Sequence, residues 1–209
     1  MTSYFAQVRR TPKPGRFASV LQGQIEALNS SNQTGAVAFT ISGNTKQVVL
    51  TNFMYNSIQD VENHNDGVFG NPDRLAAFDS RGSECEETRF LLSRIVERPI
   101  QSGKSGQDEE IKFGRRNVIT AKTGELASLV EVLMEFREAF ETSTPGISVP
   151  VGGDTHAVRT LTTVSSLEQL EAWQEELTSS RMLPFRERIN NLIVEQSVEL
   201  NRIVHRNRP

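Results

Sequence analysis

Apolar residues in this chain follow two alternating spacings, one with a period of two and one with the helical period. Period-two runs predict strands, and apolar residues three and four apart predict helices. In the first half, serine, asparagine and glycine punctuate these runs, which is typical of turns. The predicted elements are a strand over 4–10, a helix over 17–28, strands over 35–41 and 47–53, a helix from Ser57 and a strand over 89–100.

The second half gives the same succession of patterns. Its second long helix follows a serine and carries Leu167, Leu170, Trp173 and Leu177 on one face, and Arg137 is the one polar break in the stripe of the preceding helix. The predicted elements are a strand over 117–122, a helix over 126–140, strands over 146–151 and 156–162, a helix from Ser166, a short helix within 180–190 and a strand over 194–204.

Short sequence matches link the two halves at a nearly constant offset. The run Gly15-Arg16-Phe17-Ala18-Ser19-Val20-Leu21 corresponds to Gly124-Glu125-Leu126-Ala127-Ser128-Leu129-Val130, and Ser93-Arg94-Ile95-Val96 corresponds to Asn201-Arg202-Ile203-Val204. A fixed period indicates repeated structural units. We therefore predict an α+β protein of two tandem ferredoxin-like β-α-β-β-α-β repeats, residues 1–100 and 112–209, with a linker over 101–111.

A single unit of this order covers only one face of its sheet with helices, and a second copy would cover the other. The strand over 89–100 supports this arrangement, because Phe90 and Leu92 fall on one face and Leu91 and Ile95 on the other. The two sheets are expected to pack face to face as a pseudo-dimer or to close into a barrel.

This element order, its duplication and the helix Leu167-Glu168-Gln169-Leu170-Glu171-Ala172-Trp173 resemble the dimeric α+β-barrel superfamily. That group includes antibiotic-biosynthesis-type monooxygenases, stress-responsive barrel proteins, NIPSNAP-type proteins and tandem haem proteins of the chlorite-dismutase kind. The resemblance implies a fold, whereas activity varies widely among proteins that share one. As an enzyme, a protein of this kind would be a cofactor-independent monooxygenase acting on a small aromatic or polyketide-like substrate.

Composition narrows the classes of partner and compartment. The chain has 209 residues, a net charge of −3 and one cysteine. This charge gives no reason to expect nucleic acid or an anionic membrane, and no apolar stretch is long enough to span a bilayer. A single cysteine and an N-terminus without signal-peptide character favour a cytoplasmic protein.

Three histidines are the first candidates for chemistry. His64 lies 109 residues before Trp173, so it is either a site residue facing a cavity or a solvated residue in the frayed helix end Asn63-His64-Asn65-Asp66-Gly67. His156 is expected at a strand rim, and His205 lies beside Arg206 near the end of the chain. No two histidines have metal-ligand spacing, and nothing around them resembles a haem signature, so neither a metal nor another cofactor is predicted.

Three arginines on predicted strands are the second set. Arg94 and Arg202 occupy corresponding positions, and Arg159 shares a strand face with Ala157 and Leu161. A guanidinium on an apolar face needs a carboxylate or an anionic ligand. Arg94 and Arg202 are therefore either ligand-binding residues or partly buried partners of Glu97, Glu195 or Glu199 near the contact between repeats.

The remaining motifs leave two functions open. Cys85 lies among glutamates that disfavour its thiolate, the Gly103-Lys104-Ser105 run lacks the rest of a phosphate loop, and residues 63–81 are predicted to be irregular. The chain either binds a small molecule in a cavity or serves as an assembly module whose outer strands mediate homo-oligomers, or it is an enzyme whose catalytic candidates are Tyr55, His64, Arg159 and Trp173. The lack of a recognisable acid–base or nucleophile pair favours the non-catalytic interpretation.

Overall fold

The computed structural model describes residues 3–43, 46–100, 110–153 and 155–207. It confirms the predicted class, because the chain is an α+β protein whose eight described strands form a closed antiparallel barrel. The strands are β1 (Ser3–Pro12), β2 (Gly35–Ser42), β3 (Val49–Tyr55), β4 (Cys85–Glu97), β5 (Phe113–Ala121), β6 (Gly146–Pro150), β7 (Ala157–Val164) and β8 (Ile193–Asn207). The helices are α1 (Phe17–Ser31), α2 (Ile58–Phe69), α3 (Pro72–Ser83), α4 (Leu126–Glu138), α5 (Leu167–Thr178) and α6 (Leu183–Leu192), with a 3-10 turn over Ser180–Met182.

The strand order around the barrel is β4-β1-β3-β2-β8-β5-β7-β6, and β6 pairs with β4 to close it. Strands β1 to β4 thus have the order 4-1-3-2, and β5 to β8 have the corresponding order 8-5-7-6. The chain divides into two compact units, and both β4 and β8 pass from one unit to the other. The described residues of the first unit are 3–41, 46–94 and 203–207, and those of the second are 42–43, 95–100, 110–153 and 155–202.

The core of the first unit lies between α1 and the strands β1 and β3. Apolar helical spacing on α1 buries Val20 and Leu28, and the buried Gln24 between them accepts a hydrogen bond of 2.8 Å from Thr51 Oγ1 on β3. The register of β1 and β3 runs from Tyr4 opposite Tyr55 to residue 10 opposite Val49. Because side chains alternate along a strand, the even-numbered residues of β1 share the face that packs under the helices.

The core of the second unit is built around packed aromatic side chains. The α4 side chains of Phe136 and Phe140 pack edge to face, with ring centroids 5.0 Å apart. Trp173 of α5 and Met182 of the 3-10 turn are also buried there. This apolar filling is what the clean helical periodicity of residues 126–140 predicts.

Arg137 interrupts that apolar stripe and is itself buried. Its Nε donates to the Pro145 carbonyl oxygen at 3.0 Å, and its Nη2 donates to the Arg98 carbonyl oxygen at 3.1 Å. Its Nη1 lies 2.6 Å from Glu138 Oε1 and 3.6 Å from Glu97 Oε2. The guanidinium therefore joins α4 to the chain segments that follow β4 and precede β6.

Residues 63–81 differ from the predicted irregular stretch, because α2 continues to Phe69 and α3 follows almost at once. Capping explains the second helix: Asn71 Oδ1 accepts hydrogen bonds from the backbone nitrogens of Asp73 at 3.0 Å and Arg74 at 3.1 Å, and a proline begins the first turn. The prediction of a frayed helix end around His64 was also wrong.

Strand β4 begins four residues before its predicted start, and its two faces are less buried than predicted. Phe90 is 57% exposed, although its ring lies 5.6 Å from that of Phe78 on α3. The predicted linker falls largely on residues 101–109, which lie outside the described residues. No described helix is both long enough and apolar enough to cross a membrane.

Candidate functional site

Tyr55 and His64 come together in the first unit. Tyr55 ends β3, and Ser57 caps the start of α2 by accepting a hydrogen bond of 3.1 Å from the backbone nitrogen of Asp60. The two residues between β3 and α2 are a short connection, and α2 therefore packs its apolar face against β3. The half-buried ring of His64 consequently lies 5.7 Å from the ring of Tyr55 and 5.2 Å from that of Phe53, measured between centroids.

Burial holds both polar rings in their neutral forms. It raises the pKa of the Tyr55 hydroxyl above its ordinary value, so the phenol keeps its proton at neutral pH. Burial also lowers the pKa of the His64 imidazole, and the positive charge of Arg74 lowers it further. The pair thus combines a phenol that donates a hydrogen bond with a neutral imidazole that accepts a proton.

Lowering the pH below about 6.5 is expected to decrease the free energy of unfolding through His64. The folded pKa lies below the ordinary value of 6.5, so the unfolded chain takes up a proton that the folded chain does not. The contribution of neutral His64 to the free energy of unfolding is complete above pH 6.5, and it is lost as the pH falls toward the pKa of the folded state. Urea unfolding at several pH values should show this decline, and His64→Phe should reduce it. The exposed His156 supplies the control, because an equal reduction in His156→Gln would contradict this assignment.

The corresponding part of the second unit is filled. Ser166 caps α5 as Ser57 caps α2, and both Trp173 and His64 are the seventh residue of their helices. Trp173 is 2% exposed and stacks on Phe140, with centroids 5.2 Å apart and an interplanar angle of 10°. The guanidinium of Arg115 lies over the Trp173 ring, 4.9 Å from a ring centroid. This arrangement is a packed core on both faces of the indole.

Arg159 and Trp173 lie on opposite faces of the sheet and do not form one site. Val158 packs in the same core cluster as Trp173, and the next residue along β7 points to the other face. Arg159 is buried there, with Val118 of β5 and Ser148 of β6 as its cross-strand neighbours. The four catalytic candidates thus separate into Tyr55 with His64, Trp173, and Arg159.

The predicted partial burial of Arg94 was wrong, because its side chain is exposed. Successive strand residues face opposite ways, and the buried position at this point of β4 is Ser93, at 0% exposure. Arg202 is half-buried, and its guanidinium lies 4.6 Å from the centroid of the Phe113 ring. A ligand-binding role for either arginine stays a prediction.

Two of the three carboxylates expected to pair with Arg94 and Arg202 form ion pairs with other arginines. Glu199 forms an ion pair of 3.1 Å with Arg116 on β5, and Glu97 is the second carboxylate near Arg137. Both members of the Arg116–Glu199 pair are largely buried. Their cross-strand register could be identified only once β5 and β8 were known to pair.

Arg10 and Arg81 were missed by the sequence analysis. Arg10 is 1% exposed and shares its strand face with Tyr4, Ala6 and Val8, which pack against the core of the first unit. The alternation of β1 could have identified it, since a charged residue ends an otherwise apolar face. Arg81 is half-buried near the end of α3, in the stretch predicted to be irregular.

A cleft of about 650 Å³ lies at the start of α5 in the second unit. Two of its polar groups take part in local structure: Ser166 caps the helix, and Gln169 Oε1 accepts a hydrogen bond of 2.9 Å from the backbone nitrogen of Ser165. The lining residues are Glu110, Lys112, Ser165, Ser166, Glu168, Gln169 and Ala172. The described residues contain no group of three or more histidine, cysteine or acidic side chains placed to hold a metal ion.

No family model matches the chain, and no curated protein matches its sequence. Solved structures do match its fold. The putative monooxygenase of Fusobacterium nucleatum aligns with a TM-score of 0.69 at 10% identity, covering 98% of this chain and 94% of that one. An anthrone oxidase-like protein aligns with a TM-score of 0.69 at 12% identity, covering 99% and 92%. A putative chlorite dismutase aligns with a TM-score of 0.58 at 9% identity, covering 98% and 96%.

The fold is the dimeric α+β barrel. Sequence identities of this size establish the fold and leave the activity open. Chlorite dismutases are among the structures with this barrel. A haem bound in the barrel would need a side chain, such as a histidine, placed as its axial ligand. His156 is exposed, His205 bonds to Asn29 at 2.7 Å, and the His64 ring packs on Phe53 and Tyr55. These arrangements do not fit a haem.

Proposed function

We propose that this α+β barrel arose as a tandem fusion, with repeats over 1–100 and 112–209. The matching strand orders support this, as do the serine caps of α2 and α5. Gly15 and Gly124 also have positive φ angles of 77° and 86° just before α1 and α4, a backbone conformation that favours glycine. Similarity to NIPSNAP-type domains, a cytoplasmic location and self-association stay predictions.

We propose further that the first unit binds a small aromatic molecule at Tyr55 and His64. The observation that carries this proposal is the contrast between the two units at one helix position. Trp173 is enclosed by Phe140 and Arg115, whereas His64 is a smaller, half-buried polar ring beside a buried phenol. An aromatic ligand with an oxygen substituent would stack on these rings and exchange hydrogen bonds with them.

Titration with 1,8-dihydroxyanthraquinone, followed by its visible absorbance, tests this proposal. We expect saturable binding of one molecule per chain, and His64→Trp should weaken it at least tenfold because the larger ring would cover the position beside Tyr55 that the ligand needs. Phe69→Trp is the matched control, since it adds an indole at an exposed position of the same helix. Equal affinity of the two variants, or no saturable binding by the unmodified protein, would contradict the proposal.

Oxygenation of the bound molecule is the second candidate function. It is favoured by the neutral His64, which can accept a proton, and by the names of the monooxygenase and anthrone oxidase-like neighbours. With anthrone, His64 would take a proton from C10, and the resulting carbanion would react with O₂. Both hydrogens leave C10, one oxygen atom becomes the new carbonyl and the other leaves as water, so anthrone and O₂ give anthraquinone and water.

Oxygen uptake with anthrone separates this candidate from binding alone. General-base catalysis contributes roughly 10²–10⁴-fold in rate, so His64→Phe should lower anthraquinone formation by about that factor. Dihydroxyanthraquinone affinity measured on the same variant shows whether the ligand still binds. If the ligand binds but oxygen uptake does not exceed the spontaneous rate, the protein binds the aromatic molecule without oxygenating it.

A further inference from the structure

Two arginines of the first unit have buried nitrogen donors without acceptors, away from Tyr55 and His64. Arg10 Nε and Nη1 and Arg81 Nε are buried and have no hydrogen-bond partner among the described residues. Tyr55 pairs with Tyr4, six residues before Arg10 on β1, which places Arg10 roughly 20 Å away along the strand. The two sites are therefore distinct.

The two guanidinium groups are close enough to affect each other. Burial lowers the pKa of Arg81, and the positive charge of Arg10 lowers it further, while Glu26 opposes both effects. Glu26 is exposed on α1 and already accepts a hydrogen bond of 3.0 Å from Gln22 Nε2. Two like charges with unpaired donors are costly in a protein interior, and an anion would offset that cost.

The surrounding elements hold these groups in place. The guanidinium carbon of Arg10 lies 4.9 Å from the centroid of the Phe78 ring on α3. The end of α3 is fixed by Lys13 Nζ, which donates to the Ser83 carbonyl oxygen at 2.7 Å, and by Ser19 Oγ, which donates to Glu84 Oε2 at 2.6 Å. Glu84 is thus engaged with α1.

Gly82 lies beside the guanidinium of Arg10. A Cβ atom at this half-buried position would lie 3.8 Å from Arg10 Nη1, and no other heavy atom outside its own helix backbone and chain neighbours lies within 4 Å of it among the described residues. Gly82 does not have a positive φ angle, so the backbone does not require glycine here. Its missing side chain leaves room beside the guanidinium, which is itself shielded from solvent.

We propose that Arg10 and Arg81 form a binding site for a small oxyanion, the carboxylate or phosphate group of a metabolite, beside Gly82. Every unpartnered atom of these two residues is a donor, which suits an acceptor-only ligand. Phe78 packs on one guanidinium and excludes water from it. This site is independent of the aromatic site, so His64→Trp should leave it unchanged.

Thermal unfolding of the full chain in phosphate and in acetate, each compared with chloride at equal ionic strength, tests the site. Saturable anion binding raises Tm by mass action. Arg10→Met should abolish the specific increase and should unfold at an equal or higher Tm than the unmodified protein in chloride, because a buried unpaired charge is removed. Arg89→Met, the same change at an exposed position of β4, should retain the full increase. A larger response to phosphate than to acetate assigns a phosphate ligand, and the reverse assigns a carboxylate.

Substitutions at Gly82 give a second test that leaves both arginines intact. Gly82→Ala should keep the response, whereas Gly82→Leu should weaken anion binding at least tenfold by filling the room beside Arg10. In ¹⁵N-arginine spectra, phosphate or acetate should shift the Nε–H signals assigned to Arg10 and Arg81. Equal Tm increases in all variants would indicate only the general stabilising effect of the salt and overturn the proposal, as would unshifted arginine signals.

Discussion

Replacing Trp173 with alanine is expected to lower the free energy of unfolding by about 3–5 kcal/mol, the usual range for deleting a large buried aromatic side chain. The indole is enclosed by Phe140 on one face and Arg115 on the other, so its removal leaves a cavity and takes away the ring on which the half-buried guanidinium packs. Equilibrium unfolding in urea, followed by far-ultraviolet circular dichroism, measures the loss without relying on the only tryptophan.

Two further variants identify the source of that loss. Trp173→Phe keeps an aromatic ring in the stack and should cost less than the alanine substitution. Phe69→Ala removes an aromatic side chain that is 53% exposed and should cost well under 1 kcal/mol. If Trp173→Ala cost no more than Phe69→Ala, the stacked core would not stabilise the second unit as described.

Arg137→Met is expected to destabilise the protein by about 2–4 kcal/mol. Methionine has a similar reach but no donors, so the carbonyl oxygens of Arg98 and Pro145 lose their bonds to a charged group. Native-state hydrogen exchange should show increased opening of the segments on both sides of α4, and urea unfolding should give the total loss.

The matched control for Arg137→Met is Arg188→Met on α6. Arg188 pairs with Glu135, and both side chains are about half exposed, so its removal should cost less than 1 kcal/mol. The two variants change the net charge equally. If both variants lost the same free energy of unfolding, the buried contacts of Arg137 would contribute no more to stability than an exposed ion pair.

Element order was predictable because apolar spacing determines which residues can share a buried face. The spacing of apolar residues is regular in the strands and helices that form the core, such as β1, α1 and α4. Helix α3 does not, and its start depends instead on Asn71 hydrogen bonds that involve only local backbone. A segment stabilised by caps and by packing of Phe78 gives a weak periodic signal, so residues 63–81 were predicted to be irregular.

The candidate sites were harder to predict than the fold. The sequence offset related His64 to Trp173 and made His64 a candidate, but its contact with Tyr55 became visible only in the structure. The offset also related Arg94 to Arg202, yet one is exposed and the other packs on Phe113. Burial of a strand residue depends on which helix crosses its face, and corresponding strands in the two units are covered differently.

The closed strand order also limits how another molecule could add to this protein. An open sheet ends in strands whose unpaired backbone groups can template a further strand, and this is a common route to aggregation. In the barrel each described strand has a neighbour on both sides, so its backbone hydrogen bonds are directed within the sheet. A second copy of the chain, if it binds, would therefore use side-chain contacts instead of backbone strand pairing, and its affinity would respond to single surface substitutions.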